Sequence, residues 1–378
     1  MKQKWILLTV FLFLLTSLVA CGNAAEQEEA TSDEETPVEE EVTENVVEED
    51  IERLKVYTTL YPLQYFAEQI GGEFVEVTNI IPIGADAHTY EPTAKTMIDI
   101  AEGDLFIYNG AGMEAFADTL IESLSQENTQ IVKAVEGIEL QEYDHDHSHD
   151  HDHAHDDHEH SHDDHDHGHE EDEHSHDGHD HAHEEDEHSH DDHDHAHEEE
   201  DHHHHHGDED PHVWLDPILS IQLAENIKTA LTEQLPENAD FFQENFEAIQ
   251  SQLEQLDEEF QQMVEEVEND TFIVSHAGYG YWEHRYGIHQ IGISGLSPTN
   301  EPSQKQIEEI IHFAEDYDIG HIAFEQNISN RVAEVVQNEV GAESVYIHNL
   351  EVLTDKDEGE DYFSLMRKNI EALRTILQ

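Results

Sequence analysis

Residues 144–208 consist of histidine, aspartate and glutamate with scattered Ser, Ala and Gly, and no residue there can line a hydrophobic core. No other feature limits the possible folds as strongly. A stretch of that length and charge buries no apolar surface, so the folded body must come from what lies on either side. The run holds 27 of the chain's 35 histidines. It is built as tandem 14-residue units, "HSHDDHDHGHEEDE" (160–173), "HSHDGHDHAHEEDE" (174–187) and "HSHDDHDHAHEEED" (188–201), closed by "HHHHH" (202–206). With no large apolar side chain in any unit, these repeats cannot stack as a solenoid, and disorder without metal is expected. A second acidic block fills residues 26–52 and also lacks a core-forming pattern. What remains is roughly 260 residues of ordinary hydrophobic content, enough for two domains of about 130.

Lys and Arg number 14 against 92 Asp and Glu, a formal charge of −78. Such a chain repels nucleic acid and anionic lipid and attracts cations. Neutral imidazole is the commonest ligand for divalent transition metals, and carboxylates supplement it. Each repeat offers five histidines. Binding by an unstructured array is weak, because each site must be ordered as the ion arrives. The run therefore reads as a collector of cations, with a solvated acidic spacer as the plain alternative. His158, Glu159 and His162 match the H-E-x-x-H pattern of zinc proteases. That motif needs a buried helix with an apolar face, and "HDDHEHSHDDH" has none.

The N-terminus sets Lys2 and Lys4 before an uncharged apolar stretch from Trp5 to Val19. It is short for a membrane span and right for a secretory signal over residues 1–20. "Leu18-Val19-Ala20-Cys21" resembles the bacterial lipobox, which implies lipid attachment at Cys21 and an anchor on the extracytoplasmic face of a cell membrane. Cys21 is the only cysteine, so there is no intramolecular disulfide and no thiolate metal site. Residues 21–52 then form an extended acidic tether.

The two flanks of the run look alike. "RLKVYTTLYPLQYFAEQIGG" reads as strand then helix ending at a glycine pair, and "TAKTMIDIAEGDLFIYNGAGMEAFADTLIESL" as helix, strand, helix. Further on, "PSQKQIEEIIHFAEDYDIGHIAFEQ" gives a helix capped by Ser303, then a strand. Alternating strands and helices indicate parallel sheets. Between the flanks, Phe242, Phe246, Ile249, Leu253, Leu256, Phe260, Met263 and Val267 alternate at spacings of four and three. They predict one amphipathic helix of about 45 Å. Its outer face is almost uniformly acidic and offers a coiled-coil partner no charge pairing, so a monomer is expected. The predicted fold class is α/β. Two lobes, each with a central mostly parallel sheet, are joined by a single long rigid helix, with the disordered insertion in the first lobe. The boundaries are 53–236 for the N-terminal lobe with its loop 144–208, 237–270 for the linking helix and 271–378 for the C-terminal lobe.

Eight histidines lie outside the run. Three stand in distinctive loops: His88 in "IPIGADAHTYEPT", His212 in "DEDPHVWLDP", and His276 in "TFIVSHAGYGYW". Ligands of α/β sheets bind beyond the carboxyl ends of strands. Any one such histidine is as often a packed residue as a ligand. His284, His289, His312, His321 and His348 read as ordinary helix, loop or strand-flanking residues.

In order and spacing, "GADAHTYEPT", "DPHVWLDP" and "VSHAGYGYW" resemble the zinc-binding group of ABC-transporter solute-binding lipoproteins, from about Arg53 to the C-terminus. A His-rich acidic insert before "DPHVWLDP" is common in that group. The resemblance implies one metal held between two α/β lobes by His88, His212 and His276, with a carboxylate or water after the last strand. Glu351 is the favoured fourth ligand and Asp355 the alternative. Manganese-binding members of the wider family carry a carboxylate where His276 stands. Three imidazoles and one carboxylate suit Zn2+. The expected partners are an ABC permease and its ATPase, and the run would concentrate zinc beside the cleft. A zinc-dependent hydrolase is the competing enzyme reading. No motif places a general base, a nucleophile elbow or a phosphate loop to support it. A surface metal buffer or adhesin is the third possibility.

Overall fold

The fold is described by a computed structural model covering residues 53–143 and 209–378. The signal segment, Cys21, the tether, the His-rich run and its H-E-x-x-H match lie outside the described residues. The first lobe runs β1 (Leu54–Thr58), α1 (Tyr61–Gly71), β2 (Val75–Asn79), α2 (Ala94–Ala101), β3 (Leu105–Tyr108), α3 (Ala117–Leu124) and β4 (Gln130–Lys133), then α4 (Pro217–Gln234). The second runs β5 (Thr271–His276), α6 (Gly280–Tyr286), β6 (His289–Ser294), α7 (Gln304–Asp316), β7 (His321–Glu325), α8 (Arg331–Val340), β8 (Glu343–Ile347) and α9 (Tyr362–Ile376). Helix α5 (Ala239–Glu266) lies between them.

Each sheet has four strands paired parallel throughout, ordered β2-β1-β3-β4 and β6-β5-β7-β8. The two orders are the same, so each sheet has a switch point where successive connections diverge, between β1 and β3 and between β5 and β7. Side chains at the carboxyl ends of those strands face a crevice suited to a ligand.

Local chemistry sets the element ends. Ser303 and Gln306 form the expected capping box of α7. Asp216 accepts from the N–H groups of Ile218 and Leu219, and Pro217 follows at the first helical position, so the "DP" of "HVWLDP" starts α4. Helix α1 stops at Gly72, whose φ of +53° favours glycine. His289, expected in a helix or loop, instead opens β6, paired with Thr271.

Seven of the eight apolar positions expected in the linking helix are buried in α5, from Phe242 to Met263. The helix is 28 residues long, about 42 Å. It ends short of residue 270 because Val267 is extended, with Glu268 and Asn269 donating to Leu377 O. Its stripe packs on α1 and α4 of the first lobe and on α6 and α9 of the second.

One continuous buried apolar cluster runs through both lobes, from Val56 and Phe106 through α5 to Phe272, Val274 and the inner face of α9. Tyr362 of α9 lies over Tyr65 and Phe66 of α1, at ring centroid distances of 6.1 and 5.1 Å. The alternate side chain Ile273 faces a separate cluster under α7 and α8. Strand β5 is therefore buried on both faces, as a central parallel strand should be.

Candidate metal centre

The three distinctive histidines and Glu351 meet between the lobes. One ligand atom from each of His88, His212, His276 and Glu351 lies within 4.8 Å of all the others. His276 Nε2 is 3.2 Å from His212 Nε2. Glu351 Oε1 is 3.3, 3.7 and 3.8 Å from the Nε2 atoms of His88, His212 and His276. Tetrahedral zinc with bonds of about 2.0–2.1 Å separates its ligand atoms by about 3.3–3.4 Å. Asp355 is exposed and stands outside the group.

His88 lies in the loop after β2, and His276 is the last residue of β5, at the second switch point. His212 opens the short 3₁₀ turn Val213–Leu215 ahead of α4. Asn109, just past β3, donates to Pro211 O at 3.0 Å and so sets the His212 segment over the first switch point. Glu114 holds Asn109 in turn, accepting from its N–H and from those of Gly110 and the Thr59 hydroxyl. Glu351 follows β8.

A shared local device fixes the backbone at three of the four residues. Asp86, Asp210 and Asn349 each accept, through a side-chain oxygen, the N–H two residues on, at His88, His212 and Glu351. These are Asx turns, which Asp and Asn form because the side chain reaches its own backbone. The N–H of His276 is held by Glu325 Oε2, at 3.1 Å.

Two of these oxygens also orient rings. Asp210 Oδ1 is 2.7 Å from His212 Nδ1, and Glu325 Oε2 is 2.6 Å from His276 Nδ1. Each carboxylate accepts a hydrogen bond from Nδ1–H, so that the neutral ring presents an unprotonated Nε2 to a metal. Glu325, at the end of β7, also accepts from the hydroxyls of Ser275 and Tyr279. Sequence reasoning missed both carboxylates. Asp210 had a usable signal, its D-x-H spacing. Glu325 had none until the order β5-β7 was known.

The site is almost sealed. His212 and His276 are wholly buried, and His88 is the most open member, with its side chain 8% exposed. Burial lowers the His212 pKa, but Asp210 and then Glu351 more than offset this and raise it to about 9. Burial raises the Glu351 pKa, yet His88, His212 and His276 outweigh it and hold the carboxyl well below the usual carboxylate range. A buried anion set among three rings is what a divalent cation would neutralise. The donor set of three nitrogens and one oxygen is borderline-soft and suits Zn2+ over Mn2+.

The orienting carboxylates give a direct test. Glu325→Gln keeps the shape but weakens the hold on the His276 tautomer, and zinc affinity should fall about 10–100-fold. Competition against a chromophoric chelator measures it, and unchanged affinity would mean that His276 needs no orienting partner.

Residues 56–376 match the family model "Zinc-uptake complex component A periplasmic", ZnuA, a family of solute-binding proteins for zinc uptake and not of enzymes. The chain is 31% identical over 324 residues to the zinc-binding lipoprotein AdcA of Streptococcus pneumoniae, covering 85% of this chain and 55% of AdcA. It thus spans about half the length of that relative. The high-affinity zinc uptake system protein ZnuA of Bacillus subtilis is 28% identical and matches over 100% of this chain and 99% of its own. The crystal structure of the Zn(II)-bound ZnuA-like domain of S. pneumoniae AdcA superposes with a TM-score of 0.62 at 27% identity, covering 86% of this chain and 99% of that domain. With the family pattern matched over nearly the whole described body, the chain belongs to the ZnuA family of zinc-uptake components.

Proposed function

We propose that this protein captures one Zn2+ outside the cytoplasm on His88, His212, His276 and Glu351 and hands it to an ABC permease driven by its ATPase. The observation that carries the reading is the convergence of three Nε2 atoms and a carboxylate oxygen within 4.8 Å, two of the rings already oriented by buried carboxylates. A four-ligand set leaves no open position for a reacting water, which favours a carrier over a hydrolase. Lipidated Cys21 would anchor the protein on the outer face of a bacterial membrane, with residues 21–52 as tether. The folded part would act as a monomer of two lobes, 53–236 and 271–378, about the helix of 237–270.

The His-rich run acts in this reading as an auxiliary collector. The residues on either side of it are brought together, Glu142 bridging Glu209, and Asp210 N donates to Gln141 O at 2.8 Å. The chain thus rejoins the body at Glu209, three residues before His212, the ring partner of Asp210. Tethering there raises local zinc to roughly mM beside the cleft.

The experiment counts zinc kept by a soluble form starting at Gly22 with residues 144–208 deleted, after dialysis against a mild chelator. One zinc per chain is expected, lost on His276→Ala. No retained zinc would make the run the site and end the carrier reading.

A further inference from the structure

The loop that carries Glu351 is closed at its base by a buried histidine that the metal reading leaves unused. His348 follows β8 and is 3% exposed. Its backbone N–H and carbonyl are paired with the side-chain amide of Asn369 in α9, at 2.8 and 2.7 Å. The ring bridges the loop. Leu350 N donates to Nδ1 at 2.9 Å, so Nδ1 carries no proton. Nε2–H then donates to Asp357 Oδ2 at 3.2 Å, and that oxygen also accepts from Thr354 N and Oγ1, each at 2.7 Å.

Leu350, the residue held by Nδ1, is fully buried with φ +60°. Left-handed backbone is disfavoured for a residue with a Cβ and persists only where its surroundings impose it. The turn aims the next side chain, Glu351, at the three imidazoles. The same loop meets the first lobe: the carbonyls of Asn349, Glu351 and Leu353 accept from Trp214 Nε1 and from the N–H groups of Tyr61 and Gly84, at 2.8, 2.9 and 3.0 Å.

We infer that His348 is a positioning residue for metal capture: by clipping Leu350 to Asp357 it holds the left-handed turn that presents Glu351 to the three histidines and docks the loop on the opposite lobe. The inference rests on the zinc-carrier reading of the site. Without the Nδ1 acceptor, the Leu350 N–H is buried and unpaired, and the turn keeps only the Asn349 side-chain bond to Glu351 N and the carbonyl contacts to the first lobe. Glu351 then loses its fixed direction while the histidines keep theirs.

The test uses the whole soluble chain with the run intact and less than one molar equivalent of Co2+, so that the tightest site fills first. Four-coordinate Co2+ gives intense visible bands that weaken when a ligand is lost and water replaces it. His348→Leu should lower zinc affinity about 10–100-fold, by competition titration, and weaken the Co2+ bands toward those of Glu351→Ala. His348→Asn, whose amide oxygen stands near the place of Nδ1, should recover much of both. If His348→Leu does not fold, Asp357→Ala breaks the clip from its other end and is read in the same way. Parent-like bands and affinity in a folded His348→Leu or Asp357→Ala chain would overturn the inference alone. Loss in His348→Leu with no recovery in His348→Asn would reduce His348 to core filling and overturn it too. If the parent's bands do not change on Glu351→Ala, the four-residue site falls, and the inference with it.

Discussion

Replacing Gly278 with alanine should cost more than the roughly 100-fold in zinc affinity that loss of a ring-orienting partner costs at most, while leaving the fold in place. A Cβ at this position would lie 2.7 Å from His276 Nε2, 2.9 Å from His276 Cε1 and 3.3 Å from His212 Cδ2. The first of these is the atom proposed to bind the ion. The neighbour cannot swing away as a lysine tip would, because His276 is fully buried and its other nitrogen is tied to Glu325. Ring rotation would break that hydrogen bond, and a backbone shift would pull His276 out of register at the end of β5. The lesser cost is to stability, about 1–3 kcal/mol for an overpacked methyl. Metal affinity by chelator competition and far-UV circular dichroism separate the two effects. A folded alanine variant with parent-like affinity would mean that the ion does not sit on His276 Nε2.

The three histidines stood out in the chain through their neighbours, and the resemblance to zinc-binding solute-binding lipoproteins proposed them as ligands. His88 and His212 stand in loops and His276 closes β5, within the stretches "GADAH", "DEDPH" and "SHAGYG". Glu351 and Asp355 were harder to separate. They lie four residues apart in one loop, and only the fold shows the first buried beside the histidines and the second in solvent. Periodicity exposed α5, since its stripe of large apolar residues repeats over seven turns. It could not tell that the stripe serves both lobes at once, nor that α9 returns to pack on α1. Those contacts join residues hundreds of positions apart and leave no local pattern. His348 flanks β8 as expected, but its hydrogen-bond partners left no sign in the chain for the same reason. Its partners Asp357 and Asn369 become neighbours only when the loop and α9 close around it.

Phe260→Ala should destabilise both lobes together, by about 3–5 kcal/mol, a large share of the roughly 5–15 kcal/mol that holds a typical protein folded. Phe260 is wholly buried in α5 and stacks at 4.9 Å on Tyr286 and 5.2 Å from Trp282, both of the second lobe. It belongs to the apolar cluster that reaches the first sheet, so no cut separates the lobes without exposing that cluster. Urea titration followed by circular dichroism and by the fluorescence of the buried Trp214 and Trp282 should therefore give coincident transitions, both shifted to lower urea. Two separated transitions would show the lobes to be independent units. Zinc should then push both curves back, by about 2.7 kcal/mol at a free concentration 100 times the dissociation constant. Only sites made by folding contribute to that shift. The His-rich run, expected to bind without a fold, holds its ions equally in the folded and unfolded chain, and its contribution cancels. The zinc-induced shift thus reads the cleft in the presence of the run, and His212→Ala should abolish it. A shift that survives His212→Ala would mean that folding creates a zinc site elsewhere, and that the four residues between the lobes are not the place of capture.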